Sequence, residues 1–162
     1  MLLAEANRLL IPILRNAGTP MFASAFYMVA DSATGEIQYA NAGHPNPFII
    51  RRDFQAIERI GAVGGAHGPA LGLIERAHYS AGRRVLAPRD LVMLFTDGIF
   101  EVDGPDEEPF GEARLEDAVR RRIGLPADQI FDEVIEEVRR FSVTEKFDDD
   151  ICLLGLELNR LV

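Results

Sequence analysis

Residues Leu91-Val92-Met93-Leu94-Phe95 are apolar without interruption, and Thr96-Asp97-Gly98 follow at once. Such a run has no polar face to show to water, so it is predicted as a strand buried inside a sheet. Its end delivers a carboxylate on a glycine. Asp-Gly is a common turn pair, because Gly accepts φ > 0 and Asp bonds its own backbone. A second stretch adds another possibility. Residues 148–154, DDDICLL, run three carboxylates straight into another apolar strand. Like charges held together at a sheet edge repel one another. A hard divalent cation such as Mg²⁺ or Mn²⁺ removes that cost by taking carboxylate oxygens. If the two strands are neighbours, their carboxylate-bearing ends meet.

Composition narrows the classes. A chain of 162 residues with 48% apolar content suits one soluble domain with a single core. The single cysteine excludes a disulfide framework within the chain and fits a reducing cytoplasm. Residues 97–150 carry 18 Asp and Glu against 7 Arg and Lys, so that half is strongly acidic. Binding to a nucleic-acid backbone needs a basic face, and nucleic acid is therefore not an expected partner. The N-terminal MLLAEANRLLIPIL is broken by Glu5, Asn7 and Arg8 and lacks a basic leader and a cleavage site, so it is not read as a signal peptide. No stretch approaches the roughly 20 apolar residues of a membrane span.

Apolar residues at helical spacing predict a helix over 2–15. A hairpin follows, with strands 22–31 and 36–44 around the turn SATG. Strands are then expected at 47–52 and 54–60, a glycine-rich loop at 61–73, and a strand at 77–87 bent at Gly82. After the strand 91–96 the pattern changes. Helices are expected at 114–123 and 127–141, Pro126 marking the start of the second, and a strand at 150–158 closes the chain. Strands and helices segregated in this way indicate the α+β class, with helices packed on antiparallel sheets.

Four segments, in this order and spacing, name a family: AFYMVADSATGEIQYANAGHPNPFII, GPALGL, LVMLFTDGIFE and FDDDICLL. Together they resemble the SpoIIE-like (RsbU-like) branch of the metal-dependent PPM protein serine/threonine phosphatases. The resemblance runs from about Leu9 to Leu158. It implies a PPM-like α-β-β-α architecture, an antiparallel β-sandwich flanked by helices. It also implies a pair of Mn²⁺ or Mg²⁺ ions at one end of the sandwich. Asp97 matches the aspartate of the family's TDG motif, and Asp149 the first of its Asp pair, with Asp150 beside it. The implied metal set is thus Asp97, Gly98, Asp149 and Asp150, with Asp97 and Asp149 also the catalytic pair and His44 of NAGH a substrate-binding candidate.

The implied reaction is hydrolysis of phosphoserine or phosphothreonine by a metal-bridging water, without a protein nucleophile. The implied substrate is a phosphorylated anti-anti-sigma protein of STAS type, with a sensor or receiver domain upstream in the parent chain. The family's further ligands come from an upstream GGD-type motif and a D-x-S-G-H-G segment, neither of which is in these 162 residues. Residues 1–162 are therefore expected to be one truncated phosphatase domain lacking the first strands. An open sheet edge left by such truncation invites self-association, as in a homodimer. The alternative is a non-catalytic pseudo-phosphatase serving as a protein-interaction module.

The remaining candidates have simpler expected roles. His44 orders the loop after the hairpin through a backbone hydrogen bond, or else positions phosphate. His67 and His78 have no Cys or His at zinc spacing. The glycines of 61–73 fit neither a Walker nor a dinucleotide pattern. Arg120-Arg121-Arg122 is read as a solvated helix face. Asp103, Asp106, Glu107 and Glu108 belong to an exposed loop near the TDG motif. Cys152 stands where the family usually has Thr and is expected as a small core residue.

Overall fold

The computed structural model describes residues 2–16, 21–61, 68–105, 108–144, 146–147 and 149–159. The elements are α1 (Leu2–Arg15), β1 (Ala25–Ala30), β2 (Glu36–Ala42), β3 (Phe48–Arg51), β4 (Ala56–Arg59), β5 (Gly82–Val85), β6 (Leu91–Phe95), α2 (Gly111–Arg120), α3 (Ala127–Phe141) and β7 (Leu153–Glu157). Two compact units result, residues 1–44 with 61–86 and residues 45–60 with 87–160. Each carries one antiparallel sheet, with α1 in the first unit and α2 and α3 in the second, the α+β class expected from the sequence.

The first unit holds a three-stranded sheet in the order β1-β2-β5. The predicted hairpin is present, with Ala30 paired to Ile37 and Ala25 to Ala42. Its turn is set by Asp31, whose Oδ1 accepts the N–H groups of Ala33 at 2.8 Å and Thr34 at 3.4 Å. α1 buries Leu3, Asn7 and Ile11. Asn7 is 1% exposed yet satisfied on both sides. Its Nδ2 donates to the Ile74 carbonyl and its Oδ1 accepts from the Gly72 N–H, each at 2.8 Å. A polar residue at the centre of an apolar helix face thus ties α1 to the segment 72–74. Leu3, Ala42, Leu71 and Tyr79 form the core beside it.

The strand expected over 77–87 starts only at Gly82, so Gly82 opens the strand rather than bending it. A Cβ at Gly82 would lie 2.4 Å from the Tyr39 ring, which explains the glycine by packing. The six residues 62–67 of the glycine-rich loop, His67 included, lie outside the described residues.

The second unit holds a four-stranded antiparallel sheet in the order β4-β3-β6-β7. β6 runs between β3 and β7, and Leu91, Val92 and Met93 are fully buried, as the uninterrupted apolar run requires. Alternation divides the faces. Leu91, Met93 and Phe95 join Phe48 and Ile50 of β3 in one cluster with Leu115 and Val119 of α2 and Ile130, Val134 and Val138 of α3. α2 begins three residues before the expected Arg114, after Gly111 takes a φ of +76° and donates to the Phe100 carbonyl at 2.8 Å. In the arginine cluster at its end Arg120 and Arg121 are exposed, as a solvated face requires, and Arg122 is half-buried. Arg121 pairs with Glu137 at 2.5 Å, and Arg122 reaches Glu133 at 2.9 Å and Glu137 at 2.8 Å, so the end of α2 is pinned to α3. Among the described residues no helix is long and apolar enough to cross a membrane.

Two expectations about stability follow from the first unit. The bond from the Ala33 N–H holds the Asp31 carboxyl below its ordinary value of 3.8. A depressed folded-state pKa contributes stability that is present above the unfolded value and lost as pH falls through the folded one. In denaturant titrations the advantage of the wild type over Asp31→Ala therefore stays constant near neutrality and shrinks as pH drops below that value. Tyr79 is 6% exposed, and among the described residues its buried hydroxyl has no hydrogen-bond partner, while burial raises its phenol pKa. Since an unsatisfied buried hydroxyl costs about 1–3 kcal/mol, Tyr79→Phe is expected to leave the unfolding midpoint unchanged or raise it.

Candidate metal centre

β6 and β7 are adjacent antiparallel strands, paired from Leu91–Glu157 to Phe95–Leu153. β7 is shorter than its apolar pattern predicts, starting at Leu153. Where the ladder stops, the chain after β6 enters a short 3-10 turn, Asp97–Ile99, and the approach to β7 runs alongside it. Thr96 is extended, with φ −82° and ψ 160°. Its N–H donates to the Cys152 carbonyl at 3.1 Å, and its Oγ1 donates to the Asp150 carbonyl at 3.0 Å while accepting the Cys152 N–H at 2.9 Å. Asp97 sits on the first residue of the turn, where its own carbonyl accepts from Phe100 at 2.9 Å and Glu101 at 3.0 Å. Behind it, Phe95 packs on Phe48 with ring centroids 4.8 Å apart.

Asp97, Asp149 and Asp150 are all exposed. Asp149 Oδ1 accepts the Asp150 N–H at 2.7 Å, which fixes one side of that carboxylate against its own backbone. Gly98 is buried between them, and its role differs from the one the sequence suggested. Its φ is not in the left-handed region that only glycine tolerates easily. What it supplies is room: a Cβ there would lie 2.8 Å from the Asp150 carbonyl oxygen and 3.4 Å from the Asp149 carbonyl carbon. The two carboxylate-bearing segments approach this closely because nothing projects between them. Asp148 lies outside the described residues.

Cys152 is exposed, not a core residue, because it precedes β7 at the end of the sheet. His44 belongs to the first unit and is half-buried. Its backbone is clamped by Asn41, whose Nδ2 donates to the His44 carbonyl and whose Oδ1 accepts the His44 N–H, both at 2.8 Å. The loop after the hairpin is therefore held by the buried Asn41 side chain, to which His44 contributes only its backbone. The His44 ring lies 6.2 Å from the Phe26 ring. Of the acidic loop after the 3-10 turn, Glu108 pairs with Arg114 at 3.1 Å, and Asp106 and Glu107 lie outside the described residues. Among the described residues no three or more His, Cys, Asp or Glu side chains are grouped closely enough to hold an ion.

The family model of Stage II sporulation protein E (SpoIIE) matches residues 1–159. The chain belongs to the SpoIIE family. It is 28% identical over 130 residues to Protein IcfG of Synechocystis sp., an alignment covering 80% of this chain and 20% of that protein. Among solved structures, the SiaA-PP2C domain of Pseudomonas aeruginosa superposes with a TM-score of 0.78 at 18% identity, over 96% of this chain and 58% of that one. The RsbU and RsbW domains of a Mycobacterium tuberculosis protein give 0.73 at 22%, over 95% and 41%. The manganese-presoaked phosphatase domain of Bacillus subtilis SpoIIE gives 0.64 at 20%, over 96% and 65%. These likenesses show the PP2C fold. The chain spans about a fifth of the curated relative's length and about two fifths to two thirds of these solved chains.

The close approach at Gly98 yields a test. Gly98→Ala places a methyl against the Asp150 backbone, and overpacking of this kind typically costs about 1–3 kcal/mol. An unfolding free energy lowered by that amount in urea titration is expected, with the helices intact by circular dichroism.

Proposed function

We propose that this chain is the metal-binding core of a protein serine/threonine phosphatase domain, hydrolysing phosphoserine or phosphothreonine on a regulatory protein. The observation that carries this reading is the junction at the ends of β6 and β7, where Asp97 and the Asp149-Asp150 pair stand on two segments bonded through Thr96. The donor set fits a hard divalent cation. It offers only oxygen, from the exposed Asp97, Asp149 and Asp150 carboxylates and the carbonyl of the buried Gly98. Mn²⁺ or Mg²⁺ held there, two ions in the intact domain, supplies an acidified water and charge neutralisation for the phosphoryl oxygens.

The chain's own residues do the rest. Asp97 supplies a carboxylate where β6 ends, and Asp149 supplies one on the segment that leads into β7. Thr96 and Gly98 fix how far apart those ends lie. A buried, close-packed sheet behind them keeps that spacing constant. The single cysteine fits a cytoplasmic setting, and the family resemblance extends the reading to a phosphorylated STAS-type anti-anti-sigma protein as substrate and an upstream sensor or receiver domain as the controlling element. His44 enters as a substrate-side residue on the same ground.

One observation favours a second reading, a non-catalytic interaction module: the described residues do not gather three ligating side chains. A phosphatase assay separates the two. With a phosphoserine peptide and Mn²⁺, the phosphatase reading expects phosphate release that EDTA stops and that Asp97→Asn lowers by more than the about 10–100-fold typical of a residue that only supports a ligand. Release that is absent, or indifferent to Asp97→Asn, supports the module.

A further inference from the structure

The ladder between β6 and β7 ends in an irregular rung. Continuing the register beyond Phe95–Leu153 pairs Thr96 with Cys152. In an antiparallel sheet such a hydrogen-bonded pair exchanges two backbone bonds, one in each direction. Only one is present here, from the Thr96 N–H to the Cys152 carbonyl at 3.1 Å. The return bond, from the Cys152 N–H, goes to the Thr96 side-chain oxygen at 2.9 Å instead of to the Thr96 carbonyl. That carbonyl is thereby released to accept the Ile99 N–H at 3.3 Å, the bond that closes the 3-10 turn carrying Asp97. The hydroxyl hydrogen then goes to the Asp150 carbonyl at 3.0 Å. One hydroxyl thus replaces a strand carbonyl toward Cys152 and stands in for a strand N–H toward Asp150.

We infer that Thr96 is the positioning residue of the carboxylate site: its hydroxyl lets β6 turn away at Asp97 while still holding the Asp149-Asp150 segment in register, and so sets the spacing of the two halves of the metal site. The inference rests on the proposed metal reading and adds a residue to it that touches neither metal nor substrate. Only a side chain with both a donor and an acceptor at the γ position can do this. Serine qualifies. Valine has the same shape but neither function, and alanine lacks both.

Thr96 is half-buried and its partners are near the surface, so water can replace the lost bonds when the hydroxyl is removed. The loss therefore falls on geometry more than on folding. The test is calorimetric titration of Mn²⁺ into the wild-type chain, Thr96→Val, Thr96→Ser and Asp97→Asn, with the metal-free unfolding midpoint of each. Thr96→Val is expected to bind Mn²⁺ about 10–100-fold more weakly, the usual loss when a ligand's support is removed, and Thr96→Ser to bind as the wild type does. Amide exchange at Cys152 should accelerate in Thr96→Val and not in Thr96→Ser. If Thr96→Val does not fold, Thr96→Ala provides the same comparison. Mn²⁺ binding that Asp97→Asn abolishes but Thr96→Val leaves intact overturns the inference while sparing the metal site. Equal weakening in Thr96→Ser and Thr96→Val also overturns it. A wild-type chain that binds no Mn²⁺ refutes the metal site itself, and the role of Thr96 falls with it.

Discussion

The pairing of β6 with β7 is the contact on which the rest of the candidate site depends. These strands are far apart in sequence, yet their ladder brings Asp97 and the Asp149-Asp150 pair to one end of one sheet. The regular ladder holds the strands in register as far as Phe95–Leu153, with one further backbone bond from Thr96 to Cys152. Beyond that point the chain must both separate, so that Asp97 can leave the strand, and stay together, so that the Asp149-Asp150 backbone remains beside Gly98. The Thr96 hydroxyl and the bare Cα of Gly98 reconcile those demands, the first by bonding and the second by leaving space.

The precision of that junction comes from the layer behind it. β6 is flanked on both sides by strands, and its alternate residues enter a cluster closed by two amphipathic helices. Fully burying each large apolar side chain there contributes about 1.5–3 kcal/mol. Ion pairs between Arg121, Arg122 and α3 align the helices, but the exposed ones contribute little beyond orientation. At the other end of the strand Asp90 accepts the Ala87 N–H at 2.7 Å and pairs with Arg51. Burial opposes the Arg51 charge, yet its bonds to Glu58 and Asp90 raise its pKa above the ordinary value. Both ends of β6 are therefore anchored by side chains, one through charge and one through a hydroxyl.

Much of this was legible in the sequence because periodicity reports burial. The run 91–95, the hairpin around SATG and the stripes of α1 and α3 all lie where the apolar pattern puts them. Pattern failed where a local contact overrides propensity. β5 is short because Tyr79 is drawn into the core of the first unit and Gly82 faces the Tyr39 ring. β7 is short because residues before it bond to a side chain rather than to a strand. Cys152 is exposed for the same reason. Asp97 and Asp149 could be singled out because carboxylates beside buried strands are conspicuous. Thr96 could not, since a threonine at a strand end is ordinary and its role exists only in three dimensions. Nor could Asn41, although a buried amide three residues before His44 is within reach of the loop it orders.

The central claim is that these two strand ends form a cation site, and anomalous diffraction tests it most directly. Crystals of the chain soaked in Mn²⁺, measured at the manganese edge, should show a peak in contact with the carboxylates of Asp97 and Asp149 that is missing from Asp97→Asn crystals soaked alike. Ordered, well-diffracting crystals with no peak there, and with both carboxylates facing solvent, would contradict it.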